Sequence, residues 1–199
     1  MTVSPESFVF ELPWNVKSGK VLAGLSRHFT TTTPTPRRDR IKYFDTFDWR
    51  LFQKGLSLVW TGNNYELRKI DDAVTLDSEH AGNETRFWWD FPEGALRKRL
   101  RGILKERAVI PVGELGLRVR KLRVLNADDK TVAHVEIRVG EAFCGGRTVA
   151  RVRSLNVIPV RGYTKEAKKL ARYFARAGLR PAQRSTFEVA VVACGREPG

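Results

Sequence analysis

Residues 117–139, LRVRKLRVLNADDKTVAHVEIRV, carry the clearest strand pattern of the 199-residue chain. Two alternating runs, LRVRKLRVL and TVAHVEIRV, flank Asn126-Ala127-Asp128-Asp129-Lys130, which reads as a hairpin turn. Strand side chains alternate between faces. Ala133, Val135, Ile137 and Val139 therefore share one face, and His134, Glu136 and Arg138 share the other.

Working outward, Phe8 to Leu12 reads as a short strand stopped by Pro13, and Ser18 as the cap of a helix with the stripe Val21, Leu22, Leu25 and Phe29. Residues 30–40, TTTTPTPRRDR, read as a loop. IKYFDT is a strand, DWRLFQKG a turn-like element and LSLVW a further strand; Gly62-Asn63-Asn64 then leads into YELRKI as a hairpin. TRFWWDF reads as a strand ended by Pro92. Residues 93–107 read as a helix with Leu96, Leu100, Ile103 and Leu104 on one side and Arg97, Lys98, Arg101 and Lys105 opposite. After Cys144-Gly145-Gly146 comes the strand TVARVRSLNVIPV. Thr164 opens a helix carrying Ala167, Leu170, Ala171 and Phe174, with Gly178 where a left-handed C-terminal residue is wanted. STFEVAVVA reads as a last strand.

About eight strands and three helices, joined mostly by hairpins, predict an α+β fold: an antiparallel sheet or barrel with helices packed outside. Residues 1–192 are expected to form one domain and 193–199 the start of a linker or C-terminal tail.

Thirty-six Lys and Arg against 22 Asp and Glu leave a net charge of +14, a field that attracts phosphate polyanions, nucleic acid or acidic surfaces. The two cysteines, Cys144 and Cys194, make neither a disulfide framework nor a Cys-based zinc site, and three scattered histidines add no metal cluster. No apolar stretch reaches the roughly 20 residues needed to span a bilayer. No membrane partner is expected, and the expected location is the cytoplasm. P-loop and G-x-G-x-x-G patterns are absent, as is a Ser–His pairing at recognisable spacing.

The arginines are concentrated on strands. Arg118 and Arg120 share a face of one strand, and Arg151 and Arg153 a face of another. Arg138 lies beside Glu136, and Arg68 beside Glu66 with Lys69 next to it. Rows of guanidinium groups suit an anion held between them, because their forks match phosphate oxygens. Alternation alone leaves two readings open, a basic lining turned inward or the solvent face of a half-exposed sheet. The aromatic residues around Trp88 and Trp89 read as packing before base stacking.

The order of these elements resembles the CYTH domain of the triphosphate tunnel metalloenzymes, especially the version that precedes a CHAD domain in bacterial proteins. Tyr43-Phe44-Asp45-Thr46 is similar to the family's Tyr-Tyr/Phe-Asp-Thr strand, and Leu51 and Lys54-Gly55-Leu56-Ser57-Leu58 follow as they do there. Arg86 and Pro92 fall where the family's next strand has an Arg and a closing Pro. Arg118 and Arg120 match its basic central strand, and residues 160–186 its helix and closing segment. The resemblance spans about residues 6 to 191. It implies an antiparallel barrel enclosing a tunnel, with basic side chains gripping a triphosphate and, in catalytic members, carboxylates holding a divalent metal.

The chain departs from the catalytic pattern. The family's Glu-x-Glu-x-Lys appears as Val9-x-Glu11-x-Pro13, and Leu-Arg-x-Arg as Leu58-Val59-Trp60-Thr61. An acidic strand near the end falls on Ser154 and Asn156. Arg138 stands where an acid is usual before Gly140. Glu11, Glu66 and Glu136 are the remnant metal candidates, and the last two each have an Arg two residues away. A neighbouring guanidinium neutralises a carboxylate and competes with a metal ion.

The expected function is binding of polyphosphate, triphosphate or a similar anion by a catalytically degenerate CYTH-like domain beside a CHAD domain. The binding residues implied are Arg68, Lys69, Arg86, Arg118, Arg120, Arg138, Arg151 and Arg153, with no catalytic residue. No cofactor is expected; Mg²⁺ or Mn²⁺ enters only if the chain is an active triphosphatase, the first alternative. A basic RNA- or protein-interaction module is the second.

Overall fold

The hairpin at 117–139 forms, and both its strands run further than their alternation suggests. The computed structural model describes residues 7–70 and 75–196. β6 covers Ile110–Leu125 and β7 Thr131–Cys144. In the turn between them the Asn126 side-chain carbonyl accepts the N–H groups of Asp128 (3.1 Å) and Lys130 (2.9 Å), and Asp129 takes a positive φ of 56°. Asn and Asp tolerate that conformation better than branched residues do.

The other strands are β1 (Phe8–Glu11), β2 (Thr35–Asp45), β3 (Leu56–Trp60), β4 (Asn64–Lys69), β5 (Thr75–His80) and β8 (Arg147–Pro159). The helices are α1 (Ser18–His28), α2 (Ala95–Leu104), α3 (Thr164–Arg176) and α4 (Thr186–Ala193). The result is an α+β fold on an eight-stranded antiparallel sheet in the order β1-β8-β7-β6-β2-β3-β4-β5. Among the described residues its ladder runs from β1 at one end to β5 at the other. The β1 edge is covered from residues 180–182: Glu11 N–H donates to the Arg180 carbonyl, and Ala182 N–H to that of Val9 (both 2.9 Å). Such cover blunts an edge that would otherwise invite strand addition.

Four local expectations need correction. The 30–40 segment is not all loop: β2 begins at Thr35, and Thr31 already bridges Val124. Thr32 N–H donates to the Arg123 carbonyl, and the Thr32 hydroxyl oxygen accepts the Arg123 N–H, both at 3.0 Å. TRFWWDF is not a strand. Asp90 accepts the N–H groups of Phe87 (3.0 Å) and Arg86 (3.4 Å), curling Trp88–Asp90 into a 3₁₀ turn. STFEVAVVA is helix α4, fixed by a capping box: Ser185 Oγ accepts Glu188 N–H (3.1 Å), and Glu188 accepts Ser185 N–H (2.7 Å). Ser18 is the first helical residue of α1 and gives no side-chain cap. β5 was not foreseen. Of the stretch expected as a tail, residues 194–196 fold back on the end of α4 and 197–199 lie outside the described residues.

The chain divides into two compact units. One comprises the residues up to Arg38, Arg118–Gly140 and Val152–Gln183; the other comprises Asp39–Leu117, Glu141–Arg151 and the chain from Arg184 on. In the first, α1 and α3 pack Leu22, Leu25, Leu170 and Phe174 on Phe10, Leu122, Val124, Ala133, Val135, Ile137, Leu155 and Val157. In the second, Leu96, Leu100 and Leu104 of α2 pack with Phe44, Leu58, Tyr65, Leu67 and Phe91. Here α4 sets Phe187 edge-on to Tyr43, 5.3 Å between ring centres. It also crosses Gly113 so closely that a methyl built there would stand 3.0 Å from the Ala190 Cβ.

The Tyr-Phe-Asp-Thr strand is scaffolding in this chain. The fully buried Asp45 carboxylate accepts the N–H groups of Thr46 (2.7 Å), Leu51 (3.0 Å) and Phe52 (2.9 Å), tying down the turn that returns the chain to β3. Burial, the largest influence, pushes this carboxyl above its ordinary value, and the N–H donors of Leu51, Phe52 and Thr46 pull against it. Asp45→Ala strands these donors and is expected to lower unfolding free energy by on the order of 3 kcal/mol in urea titration. An unchanged urea midpoint would show that the turn does not depend on this carboxylate.

Candidate anion-binding site

A sheet that buries one face against helices must put its polar side chains on the other. In the first unit the core takes Ala133, Val135 and Ile137 of β7, Leu155 and Val157 of β8, Phe10 of β1, and Leu122 and Val124 of β6, with Val132 at the start of β7. The opposite face therefore receives His134, Glu136 and Arg138 of β7, Ser154 and Asn156 of β8, Lys121 and Arg123 of β6, and Glu11 of β1. β1 is in register with β8 there, Val9 opposite Asn156 and Glu11 opposite Ser154.

Glu136, only 3 % exposed, sits at the centre. Its Oε2 accepts two hydrogen bonds from Arg138, Nε at 3.2 Å and Nη2 at 3.0 Å. Its Oε1 faces the Lys121 ammonium at 3.7 Å and the Arg37 guanidinium at 4.0 Å. Burial pushes this carboxyl up, but Arg138 and Arg37, the Arg138 hydrogen bond and Lys121 together outweigh it and hold the group below the usual carboxylate range. His134 is held low by burial first and by Lys121 next. Three cations thus converge on one carboxylate. Beside them, Asn156 Oδ1, Ser154 Oγ and His134 Nδ1 are buried without a hydrogen-bond partner. Asn156 and Ser154 themselves are 1 % and 6 % exposed.

Of the residues expected to bind phosphate, Arg138 is at this cluster and the others are not. Arg118 and Arg120 are exposed and share the parity of Leu122 and Val124, so they point to the side away from Lys121. Arg153 shares the parity of Leu155 and Val157. Its guanidinium donates to the carbonyls of Pro13 (2.6 Å), Trp14 (2.9 Å) and Val16 (2.5 Å) and lies over the Trp14 ring, fastening the segment after β1. Arg151 precedes it on the same face and is exposed. In the second unit Arg68 bonds Glu66 (3.0 Å), Lys69 is exposed at the end of β4, and Arg86 is exposed before the 3₁₀ turn.

Sequence reasoning missed Arg37 and Lys121. Arg37 was hidden by the reading of 30–40 as loop. The signal for Lys121 was available: it falls between the apolar Val119 and Leu122, opposite in parity to Leu122 and Val124.

The remnant carboxylates do not fit a divalent metal. Glu136 is already neutralised by guanidinium and ammonium groups, and Glu66 is taken by Arg68 and Thr75. Glu11 is exposed and accepts a long bond from Gln183 N–H (3.4 Å). Mg²⁺ and Mn²⁺ favour a shell of uncommitted oxygens. Among the described residues, no group of three or more His, Cys, Asp or Glu could hold a metal. No helix among them is long and apolar enough to cross a membrane.

No family model matches the chain, and no curated protein matches it in sequence. Solved structures do match. A candidate adenylate cyclase from Bacillus halodurans is 12 % identical, over 87 % of this chain and 89 % of its own, with a TM-score of 0.54. A candidate adenylyl cyclase from Hippeastrum, described as having a dominant triphosphatase activity, is 13 % identical over 96 % of both chains, with a TM-score of 0.57. At such identities the likeness establishes that this chain shares their fold.

The depressed Glu136 makes a signed pH prediction. Its ionised form stabilises the fold above the unfolded value of about 4.3, and that contribution is lost as pH falls through the lower folded value. Wild type is expected to exceed Glu136→Gln in stability near neutrality, with the gap closing below about pH 4.3. A gap that stays constant from pH 7 to pH 3 in denaturant titrations would contradict the charge cluster.

Proposed function

We propose that the chain binds a phosphate polyanion of the triphosphate or polyphosphate class on the polar face of its first unit, and that it holds this anion without hydrolysing it. The observation that carries the reading is the convergence of Arg37, Lys121 and Arg138 on the single buried carboxylate of Glu136. Arg37 and Lys121 have side chains 49 % and 36 % exposed, so solution anions can reach them. Guanidinium and ammonium groups together give phosphate oxygens both forked and point-charge partners. On the same face the unpartnered Ser154 hydroxyl, and His134 through an Nδ1–H, are donors that suit phosphate oxygens. The triphosphatase description of the Hippeastrum neighbour supports the choice of ligand class. The guanidinium-bound carboxylates support binding over metal-assisted hydrolysis.

A calorimetric titration with tripolyphosphate and long-chain polyphosphate tests this, with single-stranded RNA as the competing class. Lys121→Ala and Arg37→Ala are each expected to weaken polyphosphate binding roughly tenfold, about 1.4 kcal/mol. Glu136→Gln is expected to tighten it, because a competing negative charge is removed. Phosphate release that depends on Mg²⁺ or Mn²⁺ at enzymatic turnover would overturn the non-catalytic reading. RNA binding indifferent to both cation variants, without polyphosphate binding, would favour an RNA-interaction module instead.

A further inference from the structure

The two cysteines of the chain stand 50 positions apart, yet they meet in the second unit. Cys144 is the last residue of β7, immediately before the tight turn Gly145-Gly146, whose φ values of 55° and 79° only glycine adopts easily. Cys194 is the residue that ends α4. Both line one cavity of about 300 Å³, together with Phe143, Glu114 and Arg196. Both are half-buried. The Cys194 thiol reaches the carbonyl of Phe143, the residue just before Cys144, at 3.5 Å.

We propose that Cys144 and Cys194 are a redox modification site, closing reversibly into a disulfide that straps the C-terminal end of α4 to the β7–β8 turn. The co-reactant is a small-molecule disulfide of the glutathione class. The Cys144 thiolate attacks one sulfur of that disulfide, forming a mixed disulfide and expelling one glutathione thiolate. The Cys194 thiolate then attacks the Cys144 sulfur and expels the second. Two protein thiols are oxidised, one external disulfide is reduced to two thiols, and the two protons pass to the departing glutathiones.

This order follows from the surroundings of the two sulfurs. Burial first, then the hydrogen bond and charge of Cys144, push Cys194 up to about 12, so it does not start the exchange. Once Cys144 is in a mixed disulfide its charge no longer raises Cys194, while burial still does. The element being strapped matters to its unit. α4 covers Tyr43 through Phe187 and lies against Gly113 through Ala190. A capping box already fixes its N-terminal end, so the bridge would fix the other.

The test exposes the folded full chain to glutathione disulfide, followed by intact mass, thiol titration and peptide mapping. The expected product is monomeric, has lost two hydrogens and both free thiols, and yields a Cys144–Cys194 linked peptide that dithiothreitol releases. It should exceed doubly glutathionylated chain by at least roughly tenfold, the advantage of an intramolecular thiol over an external one. The oxidised chain should unfold at higher urea than the reduced chain. Cys194→Ser should stop at a single glutathione on Cys144. Separate glutathionylation of both thiols, a disulfide-linked dimer, or no reaction in folded chain that reacts once unfolded in urea would each overturn the proposal.

Discussion

A carboxylate taken out of water on a β-strand must be neutralised where it stands, or it does not ionise there. In this chain that carboxylate is Glu136, and the requirement organises the polar side of the first unit. Arg138 answers it from the same strand, two residues on, because the period of two returns the side chain to the same face. Lys121 answers from β6 and Arg37 from β2. Three positive groups are held near one negative group, and on the proposed reading these are what an anion would meet. A carboxylate so placed aligns the cations and also competes with any anion for them.

The same alternation divides labour among the arginines. Arg153 has the residue type and spacing of an anion ligand, yet it stands on the core side and spends its guanidinium on three backbone carbonyls. Arg118 and Arg120 stand on that side as well, beyond the end of the apolar core. A strand rich in arginine is thus no guide to a binding face until the buried parity of that strand is known. The same caution applies to motifs. Asp45 belongs to the most recognisable segment of the chain, and its observed work is to hold a turn.

The fold class and most elements were legible because their signals are local and redundant. The 117–139 hairpin alternates cleanly, the stripe of α2 falls at helical spacing, and Gly178 takes the left-handed conformation expected of it. The errors fell where one local signal was weighed against a stronger one. β-branched, apolar STFEVAVVA looks like a strand, but Ser185 and Glu188 cap it as a helix. Polar TLDSEH shows no alternation because β5 is an edge strand carrying no buried residue. The candidate site was half legible. Glu136 and Arg138 were visible as a same-face pair, and Lys121 stands on the partner strand of the foreseen hairpin, whereas Arg37 comes from β2 and is joined to them through the sheet. Pairing with a distant strand is information that spacing within one strand does not contain.

The most direct test of the account is the ionisation of Glu136 itself, followed through its side-chain carboxyl carbon by NMR with and without saturating tripolyphosphate. A bound anion shares Arg138, Lys121 and Arg37 with the carboxylate and adds negative charge beside it, so the account predicts that the Glu136 pKa rises on binding. A Glu136 titration identical in free and saturated protein would place the anion elsewhere and contradict the central claim.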